Sequence, residues 1–564
     1  MLNKKLIFLL IVFLLSSPTL VLAQNIKEPV STKIDIGDVL KETENKPEIE
    51  AESSPLPKLE QEKIKEPASD LGTEKIMIEK IIISGNNFLS TAELEALVNT
   101  KTYTGKKISF LEMQRAALKI TKYYRQQGFF VARAYIPQQK IANNSLEIAV
   151  IEGHYGKFIL ENNSLVKASK LQAILDAVKA QNIISVNTIE RAMLIINDTP
   201  GAVVIQSDVM PGAKLGTSDF LIKADSTPRF TGYLVADNYG SEYTGEDRLT
   251  GALNINSPFG LGDQIGIQTM LSDGSGIENY RLAYSLPLNA RGLEAELAYA
   301  RTEYELGDIY SALEIEGVSK DLSLSFSYPI KRTRLHNIKL RAELMNRDLE
   351  DEQAGIKTAA KTLNKLTFGL TNTKNYRLKN WNSKRTIQGS LSLGDLDRSP
   401  DNSAFEDTAG AFAKTNLHFA ENIQFNSKWS LNNSLKVQYV FSDQNLDGSE
   451  DFSVGGVNGV RLYPASEHSA EKGYLLNLEL FYNLPDLENY SHRLSLFYDL
   501  GSVDMADPVA NFESRTLQDL GLAYYLNYKD FFAKLNWAHK LGNEDVTAED
   551  DYDSRFLIQA GFVF

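Results

Sequence analysis

Apolar and polar residues alternate one by one through most of the C-terminal part of this chain. Leu322-Ser323-Leu324-Ser325-Phe326-Ser327-Tyr328 and Leu522-Ala523-Tyr524-Tyr525-Leu526-Asn527-Tyr528 are two such runs. A period of two puts apolar side chains on one face of a β-strand and polar or small ones on the other. The runs recur from Arg229 to Phe564, separated in turn by tight turns and by longer acidic segments such as Asn346 to Ala359. Roughly 335 residues at about 20 per strand and connection make about 16 strands, an even number as bacterial barrels require. The predicted fold class is a transmembrane antiparallel β-barrel over residues 227–564, apolar toward lipid and polar toward its lumen.

Other patterns rule the N-terminal part. Lys4 and Lys5 precede the apolar run Leu6 to Leu15, and Val21-Leu22-Ala23 ends in a small residue. Residues 1–23 therefore read as a cleaved secretory signal peptide, too short for a comfortable transmembrane helix. Residues 24–75 are rich in Glu, Lys, Pro and Ser and read as a charged linker, with room for a short helix between Ile34 and Glu42. From Ile76 to Ser84 a β-like run ends at Gly85-Asn86-Asn87, a turn signal. Ser90-Thr91-Ala92-Glu93 and Ser109-Phe110-Leu111-Glu112 have capping-box spacing, and the second opens a helix that Gly128 stops. Strands Val131 to Ile136 and Leu146 to Glu152 complete a small α+β domain, residues 76–153. The order repeats over residues 154–226. Gly156 to Glu161 is a strand, Lys170 to Ala180 a helix, and Asn187-Thr188-Ile189-Glu190 caps a second helix that reaches Asn197. Val203 to Gln206 and Phe220 to Ala224 close this unit, and two tandem copies argue for a repeat architecture.

Composition narrows the function. No long apolar stretch follows the signal, yet 43% of residues are hydrophobic and 10% aromatic, which excludes a helical membrane protein but not a barrel. Cysteine is absent, which excludes disulfide staples and thiol catalysis. The net charge of −14 argues against nucleic acid as a partner. The six histidines show no metal-ligand spacing, and neither a nucleophile elbow nor a phosphate loop occurs, so the chain reads as no enzyme, with no cofactor and no metal. Asp443-Gln444-Asn445-Leu446-Asp447-Gly448 matches half of a calcium loop, but Val454 stands where its bidentate Glu is required. That stretch reads as a surface loop.

Three constellations stand out. Leu494, Leu496, Tyr498 and Leu500 share one face of a strand, while Ser495, Phe497, Asp499 and Gly501 share the other. A carboxylate opposite an apolar stripe points into the lumen of a lipid-exposed barrel, and a secluded charge is retained mainly when paired. The second constellation is Ala134-Tyr135-Ile136-Pro137-Gln138-Gln139, an edge-like strand. It either recruits an extended client chain by strand addition or simply ends at Pro137, with the glutamines capping a turn. The third, Asp237-Asn238-Tyr239-Gly240-Ser241, reads as a hairpin turn.

Gly459-Val460-Arg461-Leu462-Tyr463 and Phe497-Tyr498-Asp499-Leu500-Gly501 resemble the loop motif and the strand motif of the outer-membrane translocase and insertase superfamily. The resemblance implies a loop near 453–473 that folds back into the barrel, with Arg461 paired to Asp499. Val460, Tyr463, Phe497 and Gly501 would support the motif. Glu479, on the polar face of Tyr474 to Leu484 beside Asn477, competes as the partner of Arg461, and the resemblance favours Asp499 with Glu479 as a neighbour. The family usually has Gly where this chain has Leu462. Read without the resemblance, Arg461 is a surface-loop arginine. The Tyr135 to Gln139 block, with Tyr123-Tyr124, Gly128, Arg133, Arg191 and Pro200-Gly201, resembles the periplasmic POTRA domains of TpsB transporters, the hemolysin secretion/activation family (ShlB/FhaC/HecB type) of two-partner secretion. These resemblances run in order from about Ile76 to Phe564. They imply that Tyr135, Pro137, Gln138 and Gln139 bind client, and that an N-terminal helix often plugs the barrel. The closing Phe562-Val563-Phe564 looks like the aromatic signal read by the barrel-assembly machinery.

The leading expectation is an outer-membrane transporter, its POTRA domains in the periplasm, that recognises an unfolded exported partner and translocates it to the cell surface. Its expected partners are a large TpsA-like adhesin, cytolysin or toxin, the barrel-assembly machinery and outer-membrane lipid, and the transporter is expected to be a monomer. An insertase or assembly factor is the alternative, although such proteins commonly carry more POTRA domains. A passive porin is the weaker alternative, since it needs neither POTRA domains nor the charge pair.

Overall fold

The computed structural model describes residues 35–43, 56–57, 74–181, 183–274, 276–398, 408, 410–485, 490–508 and 512–564. The expected signal peptide and most of the expected linker lie outside the described residues.

The first α+β domain contains a three-stranded sheet in the order Lys80–Ser84, Ser145–Ile151, Arg133–Tyr135, the first pair parallel and the second antiparallel. A separate ribbon pairs Lys75–Ile78 with Lys106–Ser109, so the run from Ile76 to Ser84 is two strands broken at Glu79 rather than one. The expected strand from Val131 to Ile136 shrinks to Arg133–Tyr135, because residues 128–132 are still completing the turn that Gly128 begins at φ 93°. The Phe110–Gln126 helix opens on a true capping box, in which Ser109 Oγ accepts from the Glu112 N–H at 3.3 Å and the Glu112 carboxylate accepts from the Ser109 N–H at 2.7 Å. Ser90 is the N-cap of the Thr91–Val98 helix but makes no side-chain cap bond, and Glu93 instead accepts from the Tyr123 hydroxyl. Ile78, Ile81, Leu94, Ile120, Tyr124 and Leu146 fill the core.

The second domain repeats the plan with a sheet ordered His154–Asn163, Thr217–Asp225, Val203–Pro211. Its helices are Ala168–Val178 and Val186–Asp198, and the second is capped by Ser185, whose hydroxyl accepts from the Thr188 N–H at 3.2 Å. The Val186–Asp198 helix faces the barrel. Asp198 takes both arms of Arg332 at 2.7 Å, and Arg191 donates to the Pro329 carbonyl at 2.6 Å. This end of the barrel is therefore the one nearest the α+β domains.

Among the described residues sixteen strands, from Phe230–Asp237 to Ser554–Val563, form a closed, wholly antiparallel barrel. Apolar residues such as Leu322, Leu324 and Phe326 are exposed on the outer wall, whereas Ser325 and Ser327 are buried on the inner one. The last strand pairs with the first over five positions, and the seam ends with Phe564 and Gly232 exchanging main-chain hydrogen bonds of 3.0 and 2.8 Å. A side chain at Gly232 would stand 2.8 Å from the Phe564 ring, so the C-terminal aromatic lies directly across that glycine. The acidic segment Asn346 to Ala359 is not a long loop. It is the top of a hairpin between His336–Gln353 and Ile356–Leu378, turning at Ala354-Gly355, and Ile315–Arg332 stays paired with the first of these strands as far as Gln353.

Candidate functional site in the barrel lumen

The connection from Trp429–Val440 to Lys472–Asn483 leaves the barrel at the end opposite the α+β domains and turns back inside. A two-residue ribbon, Phe452-Ser453 with Ser469-Ala470, closes its base, and the tip is folded tightly on itself. A Cβ on Gly455 would lie 1.9 Å from the Pro464 carbonyl oxygen, and one on Gly459 would lie 2.2 Å from that of Gly455. Only glycine permits such approaches.

Three neighbouring strands present acidic side chains to this tip. Register places Asn477 beside Asp499 and Asp499 beside Asp519, all on the inner face. Arg461 Nη2 donates to Glu479 Oε2 at 2.7 Å, and its Nε lies 3.2 Å from Asp499 Oδ2. The Glu479 contact is an aligned hydrogen bond, whereas the Asp499 contact is an ion pair of looser geometry. Ser495 and Tyr525 also donate to Glu479, fixing its carboxylate. Asn477 Nδ2 bridges the Gly459 carbonyl and Asp499 Oδ1 at 2.8 Å each. The Arg461 guanidinium lies over the Phe497 ring, 3.8 Å from its centroid. Phe497 fits because Gly521 stands behind it, where a Cβ would meet the ring at 2.2 Å.

Each motif residue has a place in this packing. Val460 and Tyr463 are fully buried, and the Tyr463 hydroxyl donates to the Glu544 carbonyl at 2.8 Å. Gly501 leaves room for Val454, whose Cβ would stand 2.8 Å from a Cβ added there. Leu462 substitutes for glycine without backbone strain, since its φ is not positive. Its side chain joins Val454, Leu475 and Leu517 in one apolar cluster, and its N–H donates to Asp519 Oδ2 at 2.7 Å. Arg461 is thus no surface arginine.

Asp519 is the residue that the sequence reading missed, although its phase opposite Leu520 and Leu522 places it on the inner face. The reading also missed the outer fastening of the loop. Glu467 accepts from Arg515 Nη1 at 2.7 Å and from the Thr547 and Ala548 N–H groups, tying the loop to two connections that close the barrel mouth.

Two further expectations need correction. Asp447 and Glu450 belong to no surface loop. Both are buried, Asp447 against Lys361 at 2.6 Å and Glu450 between Lys365 and Lys414, because this part of the loop also turns inward. The strand end at Asp237 is more than a hairpin turn. Asp237 accepts from Arg248 Nε at 2.8 Å, and Tyr239 is buried against Val457 of the loop and Leu557.

The short helix foreseen near Ile34 spans Ile36–Thr43 and lies inside the barrel. Ile36, Val39 and Leu40 cluster with Met270, Ile277, Tyr304 and Leu349 of the barrel strands and with Tyr310 of the connecting turn Asp308–Leu313. Asp351 caps its Ile36 N–H at 2.9 Å, and Lys361 links Asp35, at 2.9 Å, with Asp447 of the inward loop. Gly37 passes so close to Gly448-Ser449 that a Cβ would lie 2.5 Å from the Ser449 nitrogen. Helix and loop therefore plug the lumen together at its distal end.

In the first α+β domain, Tyr135 is exposed at the edge of the sheet and Gln138 is exposed beyond it, whereas Pro137 follows the strand end. Gln139 points back. Its side-chain amide donates to the Glu147 carbonyl at 2.7 Å and accepts from the Glu147 N–H at 2.8 Å, filling the place of a further strand residue. Here the capping alternative describes Gln139, and the open edge is confined to Arg133–Tyr135.

A closed lipid-facing barrel, two α+β domains at one end and a charged loop folded into the lumen define a class: outer-membrane transporters of polypeptides. A family profile described as haemolysin secretion/activation protein ShlB/FhaC/HecB matches residues 216–518, and one described as POTRA domain, ShlB-type, matches residues 76–153. The chain belongs to this haemolysin secretion/activation family, and it is a two-partner secretion transporter of the outer membrane with periplasmic POTRA domains. It is 26% identical over 503 residues to the heme/hemopexin transporter protein HuxB of Haemophilus influenzae strain 86-028NP, covering 86% of this chain and 87% of that protein. It is 23% identical to the outer membrane transporter CdiB of Dickeya dadantii strain 3937 over 66% of either chain. The solved structure of CdiB from Escherichia coli shares the fold, with a TM-score of 0.72 at 20% identity over 88% of this chain and 92% of that one.

Proposed function

We propose that this transporter passes a large, unfolded TpsA-like partner through its barrel to the cell surface, and that the seating of Arg461 governs passage. The partner is captured in the periplasm by strand addition at the open POTRA edge around Tyr135, beside the exposed Gln138. Pro137 keeps the segment after that edge from continuing the strand. Arg461, held between Glu479 and Asp499, fixes the loop that Val460, Tyr463, Phe497 and Gly501 let pack against the wall. Folding of the partner outside supplies direction, and no catalytic step or cofactor enters this reading. Phe564 serves the barrel-assembly machinery as the terminal signal, and a single copy in outer-membrane lipid is the working unit.

The buried Arg461–Glu479 contact of 2.7 Å carries the proposal, since it fastens the tip of the inward loop to the barrel wall across the lumen that a passing chain must use. The insertase alternative receives nothing beyond a shared fold with BamA of Haemophilus ducreyi, at a TM-score of 0.51. The test is export of the partner from cells carrying Arg461→Ala at normal barrel levels. Export is expected to fall steeply, and undiminished export would refute the role given to the loop.

A further inference from the structure

Leu56 and Pro57 lie between the plug helix and the first POTRA domain in sequence, yet they dock on the second POTRA domain. Leu56 is buried in the apolar cluster of that domain, which also takes in Ala290 from a periplasmic turn of the barrel. Arg334, in the turn between Ile315–Arg332 and His336–Gln353, holds both residues by their main chain. Its Nη1 donates to the Leu56 carbonyl at 3.2 Å and its Nη2 to the Pro57 carbonyl at 3.0 Å. Its Nε pairs with Glu190 of the Val186–Asp198 helix at 2.6 Å.

This arrangement has the parts of a peptide site. One apolar side chain enters a socket, and two consecutive carbonyls meet a planar fork of donors that a carboxylate holds in place. Pro57 suits it, because a residue before proline favours extended backbone and proline itself offers no competing N–H. Between the two described residues, Leu56 gives the apolar anchor and the hydrogen bonds to Arg334 read main chain. Such a site accepts many extended sequences, as a transporter of an unfolded chain requires.

We propose that the cleft between Arg334 and the Val186–Asp198 helix is a binding site for extended, apolar-anchored peptide, occupied at rest by Leu56–Pro57. The exported chain displaces this built-in competitor. The identity of the displacing chain rests on the transport reading given above.

The test uses the full chain in detergent and a fluorescent synthetic peptide with the sequence of residues 52–61, read by anisotropy. In the wild type the tethered occupant competes at high effective concentration. Leu56→Asp should expel it and tighten peptide binding by about tenfold or more. Adding Arg334→Lys, which keeps a cation for Glu190 but loses the fork, should remove most of that gain. Heat-shifted gel mobility checks barrel integrity, and Leu56→Ser should give the same ordering with a smaller gain if the aspartate impairs assembly. Equal affinity in wild type and Leu56 variants would overturn occupancy in cis, and indifference to Arg334→Lys would overturn the site. An unfolded fragment of the exported partner should displace the peptide. Fragment binding without displacement would overturn the shared site, whereas no fragment binding at all, with the peptide results intact, would instead refute the transport reading.

Discussion

In the first POTRA domain the completely shielded side chains include Ile78, Ile81, Leu94 and Ile120, whereas inside the barrel Asp499, Asp519 and Asn536 are shielded alongside apolar residues such as Val460, Leu462 and Leu517. Both regions are equally closed to water, but the barrel has already placed its apolar faces against lipid. Its interior therefore holds charges as well as the apolar cluster around Leu462, and each buried charge there needs a partner of fixed direction. An apolar core tolerates any filling of about the right volume. The lumen instead selects one seat for its loop, since Arg461, Glu479, Asp499 and the Leu462 N–H must meet together. A shielded region built of charges is thus specific, and one built of hydrocarbon is adaptable.

The comparison breaks most readily at Arg461. Arg461→Ala leaves Glu479 and Asp499 buried without their cation, and the loss of one member of such a pair costs about 3–5 kcal/mol. Hydrogen exchange across residues 454–470 should rise sharply and export should fall, while barrel levels hold. Because Glu479 makes the aligned bond, Glu479→Gln should impair export at least as much as Asp499→Asn, and the opposite order would show that the family pairing outweighs local geometry. A double mutant of Arg461 and Glu479 should be little worse than either single.

Next in size is the apolar counterpart. Ile120→Ala should destabilise the first POTRA domain by about 2–5 kcal/mol, seen as local loss of exchange protection, with no change in the barrel's heat-shifted mobility. A simultaneous loss of barrel stability would contradict the separation of the two regions.

Tyr124 is a polar exception within that apolar core, its hydroxyl donating to Glu152 at 2.8 Å while Glu152 also caps the Asn87 and Phe88 N–H groups. Tyr124→Phe should cost about 1.5–3 kcal/mol by exchange, because the bond is made to a charged acceptor. A negligible effect would place this core wholly on the hydrocarbon side of the comparison.

The smallest effect is expected at the domain's surface. Ser109→Ala removes one arm of the capping box and should cost about 1 kcal/mol. The hydrogen bond from the Ser109 backbone N–H, which alanine keeps, holds the Glu112 carboxyl below its ordinary value, so the carboxylate's share of the box is present near neutral pH and fades as pH falls through the depressed folded value. Thermal melts of wild type and Glu112→Gln should therefore converge in acid, and a constant gap would refute the capping account.

Strand phase was legible in the sequence because alternation is a local property. Leu494 to Gly501 sorted themselves into lipid and lumen faces without knowledge of any neighbour, and so did the Ser109 cap and the two α+β repeats. Arg461 could be named from its motif, with Asp499 and Glu479 as competing partners, but which of them makes the aligned bond could not. Glu479 makes it beside the Asp499 ion pair, and Asp519 joins them, only because the register of three strands brings them under one loop tip. Leu462 looked like a departure until its side chain found Val454 and Leu475, and Asp447 looked like part of a surface loop until that loop folded inward onto Lys361. Gln139 closes its own strand edge because Glu147, distant by a turn, presents both main-chain groups to it. The sequence by itself determined which faces are apolar and where the elements begin. Which buried charges meet, and where Leu56 docks, were decided by tertiary structure, because such contacts depend on register and chain path, and these are settled only when distant segments pack.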